Sequence, residues 1–106
     1  MKIYSNAKRN VNDISKYMGK DVWVCTLYLG DQYWVKFLEE STYTPGRLVV
    51  QSVPSRFIGR EITDSMKIAM FVPKWMELRE LMILTPVEIR STEEIYDLYG
   101  IPYEDA

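Results

Sequence analysis

The chain has 106 residues with no histidine, one cysteine and a formal net charge of −2 at pH 7. Its length suits one domain, and its hydrophobic (47%) and charged (26%) fractions are typical of a soluble globular protein rather than a disordered chain. This composition excludes an internal disulfide and leaves thiolate and imidazole metal sites without ligands. We therefore expect a single domain spanning 1–106, without metal or cofactor.

Long apolar segments are missing from the sequence. No run approaches the roughly 20 apolar residues needed to cross a bilayer. The first ten residues also lack an apolar stretch of secretory length. From these patterns we expect no membrane partner and a cytoplasmic location.

The first predicted element is a short amphipathic helix over 11–18. Its apolar residues recur at spacings of three and four, namely Val11, Ile14, Tyr17 and Met18. Asn10 suits the N-cap position and Gly19 is typical of a helix end.

A β-hairpin is predicted next. Residues 21–29 and 33–39 are rich in Val, Trp, Tyr, Phe and Leu, and Gly30-Asp31-Gln32 between them is typical of a turn. Cys25 lies within the first of these apolar runs, so we expect it to be a buried small hydrophobe.

The register of this hairpin decides which side chains share a face. A two-residue turn at Gly30-Asp31 would spread bulky apolar side chains over both faces. A three-residue turn segregates them better and would pair Cys25 with Phe37. In this preferred register Tyr28, Trp34 and Lys36 lie together on the face opposite the main apolar one.

The middle of the chain reads as further strands and loops. Arg47–Val53 is β-rich and ends at Pro54, which predicts a third strand of a meander. Residues 55–65 are mixed and predict mostly loop. Alternation over Met66–Val72 favours a fourth strand, whereas residues 74–81 favour a short helix slightly over a strand.

The C-terminal part contains a strand-like segment and a well-marked helix. Residues 81–90 have strand character, and Pro86 indicates an edge strand or a bend. The sequence Ser91-Thr92-Glu93-Glu94 fits a capping box, because a hydroxyl and a carboxylate three residues later satisfy each other's free amides. A helix over 92–99, ending before Gly100, is expected.

These elements together predict an α+β fold. We expect a small, mainly antiparallel sheet of about five strands, curled into an SH3-like or OB-like barrel, with short flanking helices near both termini.

Catalytic patterns are absent from the sequence. Without histidine, a serine or cysteine nucleophile lacks its commonest base. The carboxylates show no spacing typical of an acid–base pair, and the five glycines match no phosphate-binding loop. We expect no catalytic residues and no enzyme, although a deep pocket lined by Asp or Glu would favour one.

The leading hypothesis is a non-enzymatic protein-interaction domain, either an adaptor or a small inhibitor of a partner protein. Three Trp, eight Tyr and six Met are many for this length, and these residue types are enriched at interface cores. The candidate contact patch is Tyr28, Trp34 and Lys36. In the competing interpretation, a helix covers this face and Trp34 belongs to the core.

Two alternatives involve nucleic acid. Small barrels bind single strands with basic grooves and aromatic platforms, and the candidate phosphate contacts are Lys8, Arg9, Lys16 and Lys20. A pI near 5.1 opposes this reading. The acidic segment 93–105 allows a further hypothesis, an acidic inhibitor from a mobile element that mimics nucleic acid.

Overall fold

Six antiparallel strands and two short helices form the fold in the computed structural model, which describes residues 14–84 and 86–102. The elements are β1 (Trp23–Tyr28), β2 (Asp31–Glu40), β3 (Arg47–Pro54), α1 (Asp64–Phe71), β4 (Lys74–Glu77), β5 (Leu81–Ile83), β6 (Ile89–Arg90) and α2 (Thr92–Leu98). Single turns of 3-10 helix follow β3 at Ser55–Phe57 and β4 at Leu78–Glu80. The expected α+β class and antiparallel sheet are confirmed.

The sheet is not closed into a barrel, so that part of the expectation is wrong. Its strand order is β4-β3-β2-β1-β5, with β6 pairing β1 beyond this path. The end strands β4 and β5 have four and three residues, and the chain passes between them through a 3-10 turn rather than pairing them. A hydrogen bond nevertheless links β4 to β1, the neighbour of β5, because the Glu77 backbone N–H donates to the Tyr28 hydroxyl at 3.2 Å.

The β1–β2 hairpin adopts neither of the registers considered from the sequence. Tyr28 pairs with Asp31 and Cys25 pairs with Trp34, so the turn consists of Leu29 and Gly30 alone. Both turn residues have positive φ, 50° and 83°, as a type I′ hairpin turn requires. The turn was misplaced because leucine rarely adopts this backbone conformation.

This register changes which side chains share a face. Trp34 lies on the face of β1 that carries Trp23 and Cys25, whereas Tyr28 lies on the other face with Val35. The expected grouping of Tyr28 with Trp34 is therefore wrong.

Both faces of the sheet are buried in separate clusters. The first cluster consists of Ile14, Val24, Val35, Phe37, Leu48, Val50, Met76, Leu81 and Ile83. The second consists of Trp23, Cys25, Trp34, Val53, Met70, Ile95, Tyr99 and Ile101. Met70 comes from α1 and Ile95 from α2, so helices cover the Trp34 face. The competing interpretation, in which Trp34 belongs to the core, is confirmed.

The segments 66–72 and 74–81 have the opposite structures to those expected. Residues of the predicted fourth strand form α1, because Thr63 caps the helix by accepting from the Met66 backbone N–H at 3.2 Å. The predicted helix instead begins as β4, where Trp75 pairs with Val49 and Lys74 with Val50 of β3. Pairing with a neighbouring strand overrides the helix propensity of this segment.

The C-terminal helix follows the sequence prediction closely. Ser91 caps α2 by accepting from the Glu94 backbone N–H, and the Glu94 carboxylate accepts from the Ser91 N–H, which confirms the capping box. The strand character of 81–90 divides into β5 and β6 on either side of Pro86. Of the predicted N-terminal helix, Asn10 and residues 11–13 lie outside the described residues, Ile14 is helical, and residues 15–18 form a turn rather than the expected helix.

Candidate binding surface

The residues proposed as a contact patch are separated in the structure. Trp34 is only 4% exposed, and the Arg90 guanidinium lies 5.3 Å from its ring centroid. Tyr28 lies on the opposite face of the sheet, where its hydroxyl accepts from Glu77. Lys36 shares the face of Trp34, and its ammonium is paired with the Asp21 carboxylate at 3.5 Å. These three side chains form no common surface.

The basic residues of the nucleic-acid alternative are only partly described. Lys16 and Lys20 are exposed, whereas Lys8 and Arg9 lie outside the described residues. Trp34, at 4% exposure, is too buried to stack on a base.

Exposed apolar side chains are concentrated in the consecutive elements α1 and β4. Four large apolar side chains in the stretch 68–75 are between 36% and 64% exposed. They are Ile68, Phe71, Val72 and Trp75. We call these four residues the α1–β4 surface. Isolated exposed apolar residues are ordinary, whereas several within so short a stretch make it a candidate interaction site.

The arrangement of α1 explains why this surface faces outward. Met70 anchors the helix in the second cluster and is 1% exposed. Ile68, Phe71 and Val72 follow the spacing i, i+3 and i+4, which places them along one side of the chain. The C-terminal end of α1 is held to β3, because the Gln51 side-chain amide donates to the Phe71 carbonyl at 3.0 Å.

Trp75 is held at the surface by the β-sheet and by a cation. Its partner across the β3–β4 pair is Val49, and the Arg47 guanidinium lies 4.7 Å from its ring centroid. Arg47 also lies 3.8 Å from the Glu77 carboxylate. Charged side chains therefore border the indole, an arrangement resembling an apolar interface core with a polar rim.

A cavity of about 340 Å³ lies between α1, β3 and β4. Its walls are mostly apolar and include Val53, Pro54, Phe57, Met66, Met70 and Met76. No Asp or Glu of the described residues lines it, so it is not the carboxylate-lined pocket that would favour an acid–base enzyme. A second pocket, of about 330 Å³ beside α2, is lined by Glu93, Glu94 and Asp97.

Among the described residues, Lys74 is the one charged residue that lines this cavity. Its ammonium donates to the Ala69 carbonyl of α1. Desolvation by the surrounding residues lowers the pKa of Lys74 below its ordinary value. Within 14–84 and 86–102, no carboxylate forms a salt bridge with it.

Cys25 is buried as expected, at 6% exposure. The Gln32 side-chain amide donates to its sulfur at 3.1 Å. Burial raises the pKa of the thiol, so the nucleophilic thiolate is disfavoured. Across the described part of the chain, no three His, Cys, Asp or Glu residues gather into a group that could hold a metal ion.

Comparisons of this chain with protein-family models, curated proteins and solved structures found no match. Neither helix of the described residues is long and apolar enough to span a membrane.

The α1–β4 surface was missed by the sequence analysis because its two elements were interchanged. A strand over 66–72 would have turned alternate residues inward, whereas the helix buries Met70 and exposes Ile68. The available signal was Thr63 followed by Asp64, a hydroxyl N-cap and an acidic first turn, with Met66 and Met70 four residues apart.

Proposed function

We propose that this chain is a non-enzymatic protein-interaction domain that contacts its partner through the α1–β4 surface. The observation that carries the proposal is the exposure, by at least 36%, of four large apolar side chains within the eight residues 68–75, namely Ile68, Phe71, Val72 and Trp75. Burying them against another protein removes apolar area from water, which is the main driving force for association.

Trp75 is the best candidate for the energetic centre of this interface. Tryptophan is enriched among residues whose truncation costs the most binding free energy. About half of its surface is exposed, and Arg47 and Glu77 beside it supply charges at the border. An adaptor and a small inhibitor of a partner protein would both use such a surface.

The proposal is tested by capturing partners from extracts of the native host with tagged protein and identifying them by quantitative mass spectrometry. The affinity of a captured, purified partner is then measured for wild type, Ile68→Asp and Trp75→Ala. A charge at Ile68 opposes burial, and loss of the indole removes the largest contact. Each change should weaken binding at least about tenfold.

Val87→Asp is the matched control, because Val87 is also 53% exposed but lies outside the α1–β4 surface. It should bind the partner like wild type. Equal affinity of wild type, Ile68→Asp and Trp75→Ala for every captured protein would refute the proposed surface.

A further inference from the structure

The cavity beside the α1–β4 surface combines an apolar interior with one cation. Ten of the twelve described residues that line it have aliphatic, aromatic or thioether side chains, and three of these are the methionines Met66, Met70 and Met76. Methionine side chains are flexible and adapt to differently shaped apolar groups. Such walls favour a flexible hydrocarbon over a polar metabolite.

Lys74 provides the polar contact that would orient such a ligand. An ammonium has three N–H donors, and the Ala69 carbonyl accepts from one of them. Its pKa is lowered by desolvation, so an anion placed beside it would relieve the cost of the buried charge. No carboxylate among residues 14–84 and 86–102 fills that position.

From this geometry we infer that the cavity binds a medium-chain aliphatic carboxylate, with the carboxylate at the Lys74 ammonium and the hydrocarbon chain against the methionines. A singly charged head group matches the single cation. A phosphate monoester carries more charge and is usually held by several donors or an arginine fork, and no arginine of the described residues lines this cavity. This ligand site goes beyond the protein-interaction surface, with which it shares only Trp75 among the described residues.

The cavity volume sets the size of the ligand. About 340 Å³ lies near the lower end of the volumes of small-molecule sites, roughly 300–1,000 Å³. A water molecule occupies about 30 Å³, so the cavity accommodates on the order of ten non-hydrogen atoms. Octanoate, with eight carbons and two oxygens, has this size.

Calorimetric titration with octanoate and with octan-1-ol at neutral pH tests the inference. The alcohol has the same chain without the charge. We expect octanoate to bind wild type saturably at one site, and octan-1-ol to bind at least about tenfold more weakly, since a charge-assisted bond contributes more than a neutral one. Lys74→Met should lower the affinity for octanoate at least about tenfold while leaving that for octan-1-ol unchanged.

Lys67→Met is the matched control, because Lys67 lies on the same helix but does not line the cavity. It should bind octanoate like wild type. Ala69→Trp places a large ring at an exposed position on the cavity wall and should abolish binding of both compounds.

Four results would overturn the inference. They are no saturable binding of octanoate to wild type, equal affinity of wild type for octanoate and octan-1-ol, unchanged octanoate binding by a folded Lys74→Met, or unchanged octanoate binding by a folded Ala69→Trp. If Lys74→Met fails to fold, the comparison of the two compounds on wild type and the Ala69→Trp variant still decide. Because no partner protein is present, these results are independent of those for the interaction surface.

Discussion

The single variants Trp34→Ala and Trp75→Ala compare the loss of stability from a buried tryptophan with that from an exposed one. Trp34 is 4% exposed and lies in the second cluster with Trp23, Cys25 and Val53, so Trp34→Ala leaves a large cavity. Such changes lower the free energy of unfolding by about 3–5 kcal/mol. A domain of this size has a total of only about 5–15 kcal/mol.

Trp75→Ala should cost much less. The indole is 53% exposed, and its contact with Arg47 has the geometry of a cation–π interaction, which contributes about 0.5–1 kcal/mol at exposed sites. With the partial burial of the ring, a loss of about 1–2 kcal/mol is expected. The losses of unfolding free energy in the two variants therefore differ by at least about 1 kcal/mol. This difference should be visible in their unfolding midpoints.

Urea unfolding followed by far-ultraviolet circular dichroism measures both losses without relying on tryptophan fluorescence. In thermal unfolding, Trp34→Ala should lower the midpoint by at least about 12 °C, because 1 kcal/mol corresponds to about 4–8 °C for a domain of this size. A loss below about 1 kcal/mol for Trp34→Ala, or equal losses for both variants, would refute the placement of Trp34 in the core.

Two further predictions concern the turn and the helix start. Leu29→Asn should raise the free energy of unfolding, measured in urea, by about 0.5–1 kcal/mol. Leu29 is 68% exposed and has a φ of 50°, a backbone conformation that asparagine tolerates better than leucine. A loss of stability would contradict the assigned turn. Asp21 accepts from the Thr92 backbone N–H and hydroxyl, and these bonds, with Lys36 nearby, lower the pKa of Asp21 below its ordinary 3.8. Asp21→Ala should therefore cost about 1 kcal/mol at pH 7. Because the pKa of Asp21 is lower in the folded state, the stabilisation by its charge is complete above pH 3.8 and is lost as the pH falls through the folded-state pKa. The free energies of unfolding of wild type and Asp21→Ala in urea should therefore converge at low pH. A difference that stays the same at low pH would contradict the role of the charge.

Local signals in the sequence were sufficient for much of the fold. The capping box at Ser91 determines the start of α2 through groups only three residues apart, and the strand over 47–53 was recognised from its β-rich composition. These features depend on neighbours in the chain. They were therefore accessible without knowledge of the tertiary structure.

Long-range pairing decided the features that were missed. Residues 74–77 form a strand because β3 lies beside them, and no local property reports that neighbour. The hairpin register depends on a leucine at positive φ, against its usual preference. The position of Trp34 and the strand part of the α1–β4 surface follow from these two choices. The helix α1 had a local signal, the hydroxyl N-cap Thr63, which the alternation over 66–72 outweighed in the sequence analysis.

The burial of both faces of the sheet has a consequence for how the chain reaches its fold. In a sheet with one solvent-exposed face, an error of one residue in register turns apolar side chains into the solvent and is strongly destabilising. Here Trp23 and Trp34 lie on one face and Val24 and Val35 on the other, so a misaligned hairpin can still hide apolar groups on either side. The cluster that contains Trp34 is completed by Ile95 of α2, which lies more than 60 residues further along the chain. Docking of α2 therefore stabilises the hairpin register that places Trp34 on this face.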